Sequence, residues 1–221
     1  LSGATSDVVE AMKGARTSIY MTMYELDDSN VISTLIARKG SGVDVKVLLD
    51  GSSSTRSNNS AAYSQLQGGS VPVESTTPED SGGYIGLTHQ KTFIVDGSAA
   101  WIMSMNLETT SPKDDREYLA VDTAPADVAE ATAIFQADYA KTRIVPSGDL
   151  VVSPSKPTSG AGSGNSEAAL AALIGEATST LDIEVEEMSG SNAVISAIVA
   201  AANRGVTVHV VVANGEADAP T

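Results

Sequence analysis

Cysteine is absent from this chain of 221 residues, and aromatic side chains are scarce. Without cysteine, disulfide bonds and thiolate zinc sites are excluded. The absence of cysteine is compatible with either a reducing or an oxidising compartment. Because only 4% of the residues are aromatic, alanine, valine, isoleucine and leucine must build the core. No apolar run approaches the roughly 18 residues that a membrane-spanning helix needs. The composition therefore predicts a globular protein with one domain and part of another.

Basic residues are also few, since 13 lysines and arginines stand against 28 acids and give a net charge of -15. A protein that neutralises nucleic-acid phosphates needs lysine and arginine on its binding face. We therefore expect no nucleic acid among the partners. The negative field also disfavours acidic membranes relative to zwitterionic headgroups, which predicts only transient contact with lipid surfaces. Little lysine, abundant small polar residues and the acidic balance favour a secreted bacterial protein.

One stretch concentrates the residues that can carry chemistry. Residues 86–106 read GLTHQKTFIVDGSAAWIMSMN. The β-branched and aromatic residues between Thr88 and Val95 predict a strand. Alternate side chains of a strand share a face, so His89 and Lys91 are expected to project side by side. An imidazole and an ammonium would then face the same ligand.

A hairpin is predicted to follow this strand. Asp96 and Gly97 form a strong two-residue turn signal, and the apolar run 99–103 predicts the returning strand. The return brings Ser104 and Asn106 back toward the histidine. Lysine, serine and asparagine can donate to phosphate oxygens, while histidine can attack phosphorus or move a proton near neutral pH. The pattern predicts a phosphodiester site. The alternative is an ordinary half-buried strand whose histidine is hydrogen-bonded within the protein and has no catalytic role.

The same residues carry a family resemblance. The run H-Q-K-T-F-I-V-D from His89 to Asp96, followed by S-M-N at 104–106 and D-R-E at 115–117, resembles the signature of the phospholipase D superfamily. Met103 stands where that family usually has glycine. The resemblance implies an α/β fold, an α-β-α sandwich of two similar domains in a pseudo-twofold arrangement. It also implies a phosphodiesterase, active on the headgroup ester of a glycerophospholipid, whose chemistry requires no metal or other cofactor.

The resemblance also assigns roles within the motif. His89 would be the catalytic nucleophile that forms a covalent phosphohistidine. Lys91 and Asn106 would act in catalysis by binding the non-bridging phosphate oxygens, where charge grows in the transition state. Ser104 would bind the substrate beside them.

Two acids complete the candidate site. By resemblance, Glu117 would hydrogen-bond and orient a catalytic histidine from the opposite half of the active site. Asp96 is grouped with the catalytic residues as the last member of the motif, although a structural role is favoured for it. Two other functions stay open: a nuclease of the same superfamily, or a non-catalytic binding module if a second motif is missing or degenerate.

The beginning of the chain recurs after a linker. Residues 15–25 align without a gap over 177–187, at an offset of 162, and residues 42–46 align over 205–209, at an offset of 163. Such a repeat predicts two similar domains, of which the second is incomplete in this chain. The predicted segments are a first phospholipase D-like domain at 1–145, an inter-domain strand and linker at 146–165, and the N-terminal part of a second domain at 166–221.

The repeat carries three further expectations. His209 aligns with Lys46 and is expected on the surface. Glu25 follows the first strand, where parallel sheets gather functional groups, and a capping or solvent role is favoured for it over a catalytic one. The counterpart of His89 would fall near position 251, about 162 residues further on. We therefore expect a second polypeptide, the C-terminal half carrying the second motif, most simply after a break in the loop at 215–221.

Overall fold

The computed structural model describes residues 3–76, 87–109, 116–142, 144, 148–152, 166–188 and 192–213. These residues form two units, the first with the elements up to residue 150 and the second with those from residue 166. Both units combine helices with parallel strands, which confirms the predicted α/β class. The linker at 153–165 and the loop at 215–221 lie outside the described residues. The strand predicted just before the linker is wrong, because residues 150–152 adopt no regular structure.

Among the described residues, the first unit contains six strands and four helices. The strands are β1 (Ser18–Met23), β2 (Asp44–Asp50), β3 (Val73–Thr76), β4 (Lys91–Val95), β5 (Ala99–Met103) and β6 (Leu119–Asp122). The helices are α1 (Gly3–Gly14), α2 (Ser29–Gly40), α3 (Arg56–Gly68) and α4 (Pro125–Tyr139). The strands form one sheet in the order β3-β2-β1-β4-β5-β6. β1, β2 and β3 are parallel, whereas β4, β5 and β6 are each antiparallel to the strand before them in this order.

Helices cover both faces of this sheet. The apolar residues of α1, α2 and α3 pack on one face against the buried side chains of the central strands. On the other face, α4 packs on Leu48 and Ile94. Within that layer, Phe135 stacks on Tyr20 at 5.1 Å and on Tyr139 at 5.6 Å between ring centroids. Each large side chain buried in this way contributes on the order of 2 kcal/mol to folding.

The predicted hairpin is confirmed. β4 and β5 are antiparallel, and the two turn residues Asp96 and Gly97 have φ angles of 55° and 59°. Two successive residues with positive φ make the turn whose twist matches that of the flanking strands, which is why asparagine or aspartate followed by glycine is favoured there. Val95 pairs with Ala99, so Ser98 lies between this turn and the start of β5.

The predicted start of the first hairpin strand is wrong. β4 begins at Lys91, so His89 precedes the strand instead of lying on it. Pairing with β1 ends where Met23 lies opposite Lys91. Just before this point the backbone N–H of Thr88 donates to the carboxylate of Asp50, at 2.7 Å, and not to a neighbouring strand.

The second unit repeats the beginning of the first. It consists of α5 (Ser166–Gly175), β7 (Thr180–Val185), α6 (Ala193–Asn203) and β8 (Thr207–Val212), with β7 parallel to β8. The hydrogen bond from Thr207 N to Ser179 O is 2.9 Å, the same as that from Asp44 N to Thr17 O. The glycines before the second strand of each unit also agree, with φ angles of 92° and 90°. The predicted repeat is therefore confirmed in its backbone geometry.

The second unit also tests the expectation for His209. His209 is exposed, as predicted, and its Nδ1 lies 2.8 Å from Oδ1 of Asp182 on the neighbouring strand. Within the described ranges, no helix combines the length and the apolar character that crossing a membrane requires.

Candidate active site

His89 and Lys91 meet at the ring of Tyr24, directly after β1. The imidazole packs on this ring with 4.4 Å between centroids and 71° between planes. The ammonium of Lys91 lies 4.9 Å from the centroid of the same ring and donates to the carbonyl of His89 at 3.0 Å. His89 is exposed, whereas Lys91 is only 6% exposed. A lysine is seldom so deeply buried unless its ammonium is held by partners, so this charge has a fixed position.

A buried carboxylate anchors the segment that leads to His89. Asp50 ends β2, and its Oδ1 accepts the N–H of Thr88 at 2.7 Å. Its Oδ2 accepts the N–H of Ser52 at 3.1 Å, together with the hydroxyls of Ser52 and Thr55. Thr88 also bonds Thr76, the last residue of β3, through their hydroxyls at 2.8 Å. Three segments are therefore joined immediately before the histidine, an arrangement that the sequence pattern did not reveal.

Ser104 and Glu117 form a second group at the end of β5. The hydroxyl of Ser104 donates to Oε2 of Glu117 and accepts the N–H of Tyr118 at 2.8 Å. The last pair of the β4–β5 ladder is Thr92 with Ile102, so His89 and Ser104 both lie just beyond the paired residues. Ser104 can donate to a phosphate oxygen only after giving up its bond to Glu117. Asp115, the first residue of the D-R-E segment, lies outside the described residues.

Asn106 lies among carboxylates. Its amide nitrogen donates to Glu25 at 3.3 Å and to Glu108 at 3.1 Å. Its Oδ1 is buried and finds no hydrogen-bond partner in the part of the chain that the structure describes. The other carboxylate oxygen of Glu25 accepts from the amide of Asn58 at 2.6 Å. The amide of Asn106 is thus directed at anionic oxygens, the kind of group that a phosphodiester presents.

The contacts of Glu25 differ from the capping or solvent role favoured for it. It neither caps a strand end nor simply faces solvent, because it joins Asn106 on one side to Asn58 on the other. These contacts agree better with the less favoured alternative, a role in the site, which rested on its place just after β1.

The structure does not bring Asp96 to this cluster. Asp96 lies in the turn after β4, five residues beyond Lys91, which is roughly 17 Å along an extended strand. Its carboxylate accepts the N–H groups of Arg16, Thr17 and Ser18 at 2.7–3.0 Å. Burial alone would raise the pKa of this carboxyl, but the N–H groups of Ser18, Thr17 and Arg16 and the hydroxyl of Thr17 lower it to about 2. The grouping of Asp96 with the catalytic residues is thus not supported, and the structural role favoured for it agrees with these contacts.

We predict that Asp96→Asn lowers the free energy of unfolding by about 1–2 kcal/mol, because charge-assisted hydrogen bonds become neutral ones. Asp96→Ala should cost more, because alanine tolerates the φ angle of 55° poorly. The folded pKa of about 2 lies below the usual 3.8, so this stabilisation is complete above about pH 4 and is lost as the pH falls toward 2. Urea unfolding at several pH values measures it. A loss of activity in folded Asp96→Asn would contradict the structural role.

The fold and this cluster define a domain of the phospholipase D-like phosphodiesterase superfamily. Residues 8–139 match the family described as "Cardiolipin synthase, PLD-like domain", and the chain belongs to it. Proteins named phospholipase D are 31% identical over 123 residues in Rickettsia bellii and 31% identical over 119 residues in Rickettsia typhi. These alignments cover 54% and 52% of the chain, and 56% and 53% of the relatives. The chain thus spans about half the length of the curated relatives it matches.

Solved structures agree with this fold. A phospholipase D family member, Nuc from Salmonella typhimurium, is 24% identical with a TM-score of 0.54, and the match covers 65% of this chain and 91% of that one. Phosphatidylserine synthase from Haemophilus influenzae is 14% identical with a TM-score of 0.69, and the match covers 96% of this chain and 59% of that one. At these identities the likeness establishes the fold alone.

Proposed function

We propose that this chain is part of a phospholipase D-type phosphodiesterase that hydrolyses the headgroup ester of glycerophospholipids. The observation that carries the proposal is the pairing of an exposed imidazole with a buried ammonium against one tyrosine ring. Membership of the phospholipase D superfamily and the lipid enzymes among its relatives support a lipid phosphodiester as the substrate.

The proposed reaction has two displacement steps at phosphorus. His89 in its neutral form attacks, a bond between nitrogen and phosphorus forms, and the bond from phosphorus to the headgroup oxygen breaks. The departing alcohol takes a proton from a general acid, which the resemblance assigns to the histidine of a second motif. That second histidine then removes a proton from water, which attacks the phosphohistidine and releases phosphatidic acid. His89 is thereby regenerated.

The other residues of the cluster would stabilise charge. Lys91 supplies a fixed positive charge beside the nucleophile, suited to a non-bridging oxygen whose negative charge grows as the bonds change. Asn106 would add a neutral donor when its amide exchanges a carboxylate partner for a phosphate oxygen, and Ser104 would add another. These roles require no metal and no cofactor.

The substrate class is tested by direct comparison of two phosphodiesters. The protein should release choline from phosphatidylcholine vesicles and leave plasmid DNA intact, because a net charge of -15 opposes binding to a polyanion. DNA cleavage that depends on His89, without choline release, would replace this proposal by the nuclease alternative. No cleavage of either substrate would favour a binding module.

Glu117 provides a prediction about proton transfer. By resemblance its carboxylate orients a histidine of the second motif, and Glu117→Gln keeps the shape while removing the charge. We expect kcat to fall by about tenfold to a hundredfold and the pH optimum to move, since an imidazolium loses its counter-charge. Glu10→Gln is the matched control, because it removes an exposed acid of α1 whose partner is Lys13 on the same helix. An unchanged rate and pH optimum would make Glu117 a surface acid only.

A second polypeptide, the C-terminal half with the second motif, remains part of this proposal. In the first unit Leu48 is fully buried, but its equivalent in the repeat, Val211, is 60% exposed. In the described part of the second unit β7 pairs with β8 alone, whereas β1 pairs with both β2 and β4. An open sheet edge and an uncovered apolar face call for further strands and a helix. Denaturing mass spectrometry of the active protein should show a second, different chain, and a single species with the mass of this chain would contradict it.

Secretion also stays a proposal, supported only by composition. Activity found in the culture medium of the producing bacterium, and not in its cells, would support it. Activity confined to the cells would contradict it.

A further inference from the structure

The ring of Tyr24 contacts both leading residues of the motif. It packs on the imidazole of His89 at 4.4 Å between centroids, and it carries the ammonium of Lys91 at 4.9 Å from its own centroid. A cation over an aromatic face and an edge-on aromatic pair are both attractive contacts. One side chain therefore restrains the position of the nucleophile and of the phosphate-binding charge together.

The backbone at Tyr24 is itself held in place. Asn59, a buried residue of α3, donates from its amide to the carbonyl of Tyr24 at 2.7 Å and accepts the N–H of Leu26 at 3.0 Å. The same amide donates to the carbonyl of Asp50 at 2.9 Å. The backbone that bears this ring is thus hydrogen-bonded through Asn59 of α3, which also bonds the end of β2. A side chain that positions others needs such a fixed backbone.

Comparison of the two repeated units shows that the fold does not require a tyrosine at this position. The position equivalent to Tyr24 in the second unit is Glu186. The strand pairing and the framework hydrogen bonds of the two units nevertheless agree. A tyrosine is thus not needed here to form the repeated strand–helix–strand unit.

We propose that Tyr24 is a positioning residue of the active site, whose ring sets the imidazole of His89 and the ammonium of Lys91 in their reactive arrangement. The inference rests on the proposed phosphodiesterase function for its kinetic consequences, but not for its structural ones. The aromatic face, and not the hydroxyl, performs this role, because both contacts are made to the ring.

The kinetic test compares Tyr24→Leu with Tyr24→Phe. Loss of the ring should lower kcat by about tenfold to a hundredfold with KM changed less than about twofold, because a displaced nucleophile reacts slowly even when substrate is bound. Phenylalanine should restore kcat to within about threefold of wild type. Tyr24→Met provides a second variant without a ring. A leucine or methionine variant with wild-type kcat would overturn the proposal. A phenylalanine variant with a kcat as low as that of the leucine variant would also overturn it.

A matched control lies on β1, four residues before Tyr24. The ammonium of Lys46 lies 5.1 Å from the centroid of the Tyr20 ring, and this pair is not part of the cluster. Tyr20→Leu removes the same kind of contact and should leave kcat of the folded protein unchanged. An equal loss in this control would show that the effect of Tyr24→Leu is a general consequence of disturbing β1, which would overturn the proposal.

NMR signals of the histidine rings test the positioning role of Tyr24 separately from the proposed phosphodiesterase function. The chain has only two histidines, His89 and His209, so histidine NMR signals are readily assigned with His209→Ala. Tyr24→Leu should shift the ring signals of His89, which lie in the field of the tyrosine ring, and leave those of His209 in place. If wild-type protein cleaves no phosphodiester, the proposed function fails, but a His89 shift still establishes the ring contact on which the positioning role rests. Unchanged His89 signals would overturn that role whatever the activity.

Discussion

His89→Ala is expected to abolish phosphodiesterase activity, with kcat lower by about three orders of magnitude or more, while the protein stays folded. The loss is large because the proposed reaction passes through a bond between this imidazole and phosphorus, and no other side chain in the cluster replaces it. The fold should survive because His89 is exposed and precedes β4, so few packing contacts are lost. Choline release from phosphatidylcholine, with circular dichroism of the same sample, measures both.

The second histidine supplies the control for this experiment. His209→Ala makes the same substitution at an exposed residue of β8 and should keep wild-type activity. If His89→Ala retained even about a tenth of wild-type turnover, the assignment of the nucleophile would be refuted. Equal losses in both variants would point to a shared structural effect.

Lys91→Met is expected to lower kcat by about a hundredfold to a thousandfold. Methionine keeps much of the apolar stem that packs near Tyr24 but removes the charge that would stabilise a non-bridging oxygen in the transition state. Lys91→Arg should not restore activity, because a planar guanidinium does not fit the place of a compact, buried ammonium. The measurement is kcat for choline release, with the midpoint of thermal unfolding as a check on folding.

Lys46 offers the matched control for Lys91. Its ammonium also lies over a tyrosine ring, at 5.1 Å, and pairs with Asp44 at 3.3 Å. Lys46→Met therefore removes a similar charge from the same sheet, outside the cluster, and should change kcat by less than about twofold. If the two methionine variants lost activity equally, Lys91 would have no special role at the site.

The parts of the fold that follow from local pattern were predictable from the sequence. The Asp96–Gly97 turn has the residues that positive φ angles favour, so the hairpin was foreseen. The repeat was visible because its apolar positions and a glycine recur at nearly the same spacing, 162 or 163 residues. The start of α3 at Arg56 does not follow from the local pattern, since its first turns are polar and carry no apolar periodicity.

The contacts that build the cluster were harder to predict, because they depend on the order of strands in the sheet. β1 lies between β2 and β4, and this order alone brings Tyr24 and Glu25 to the motif. Nothing within the segment Tyr20–Glu25 specifies its neighbour. The position of His89 was also misjudged for a non-local reason, since Asp50 takes the backbone N–H of Thr88 and ends the strand pairing there.

The central claim, that His89 forms a covalent bond to phosphorus during turnover, is tested most directly by trapping that bond. The protein is mixed with phosphatidylcholine, denatured during turnover at neutral or alkaline pH, and digested for mass spectrometry. We predict that the peptide containing His89 gains the mass of a phosphatidyl group, and that His89→Ala protein shows no such adduct. Turnover with no adduct on His89, or with the adduct on another residue, would contradict the account.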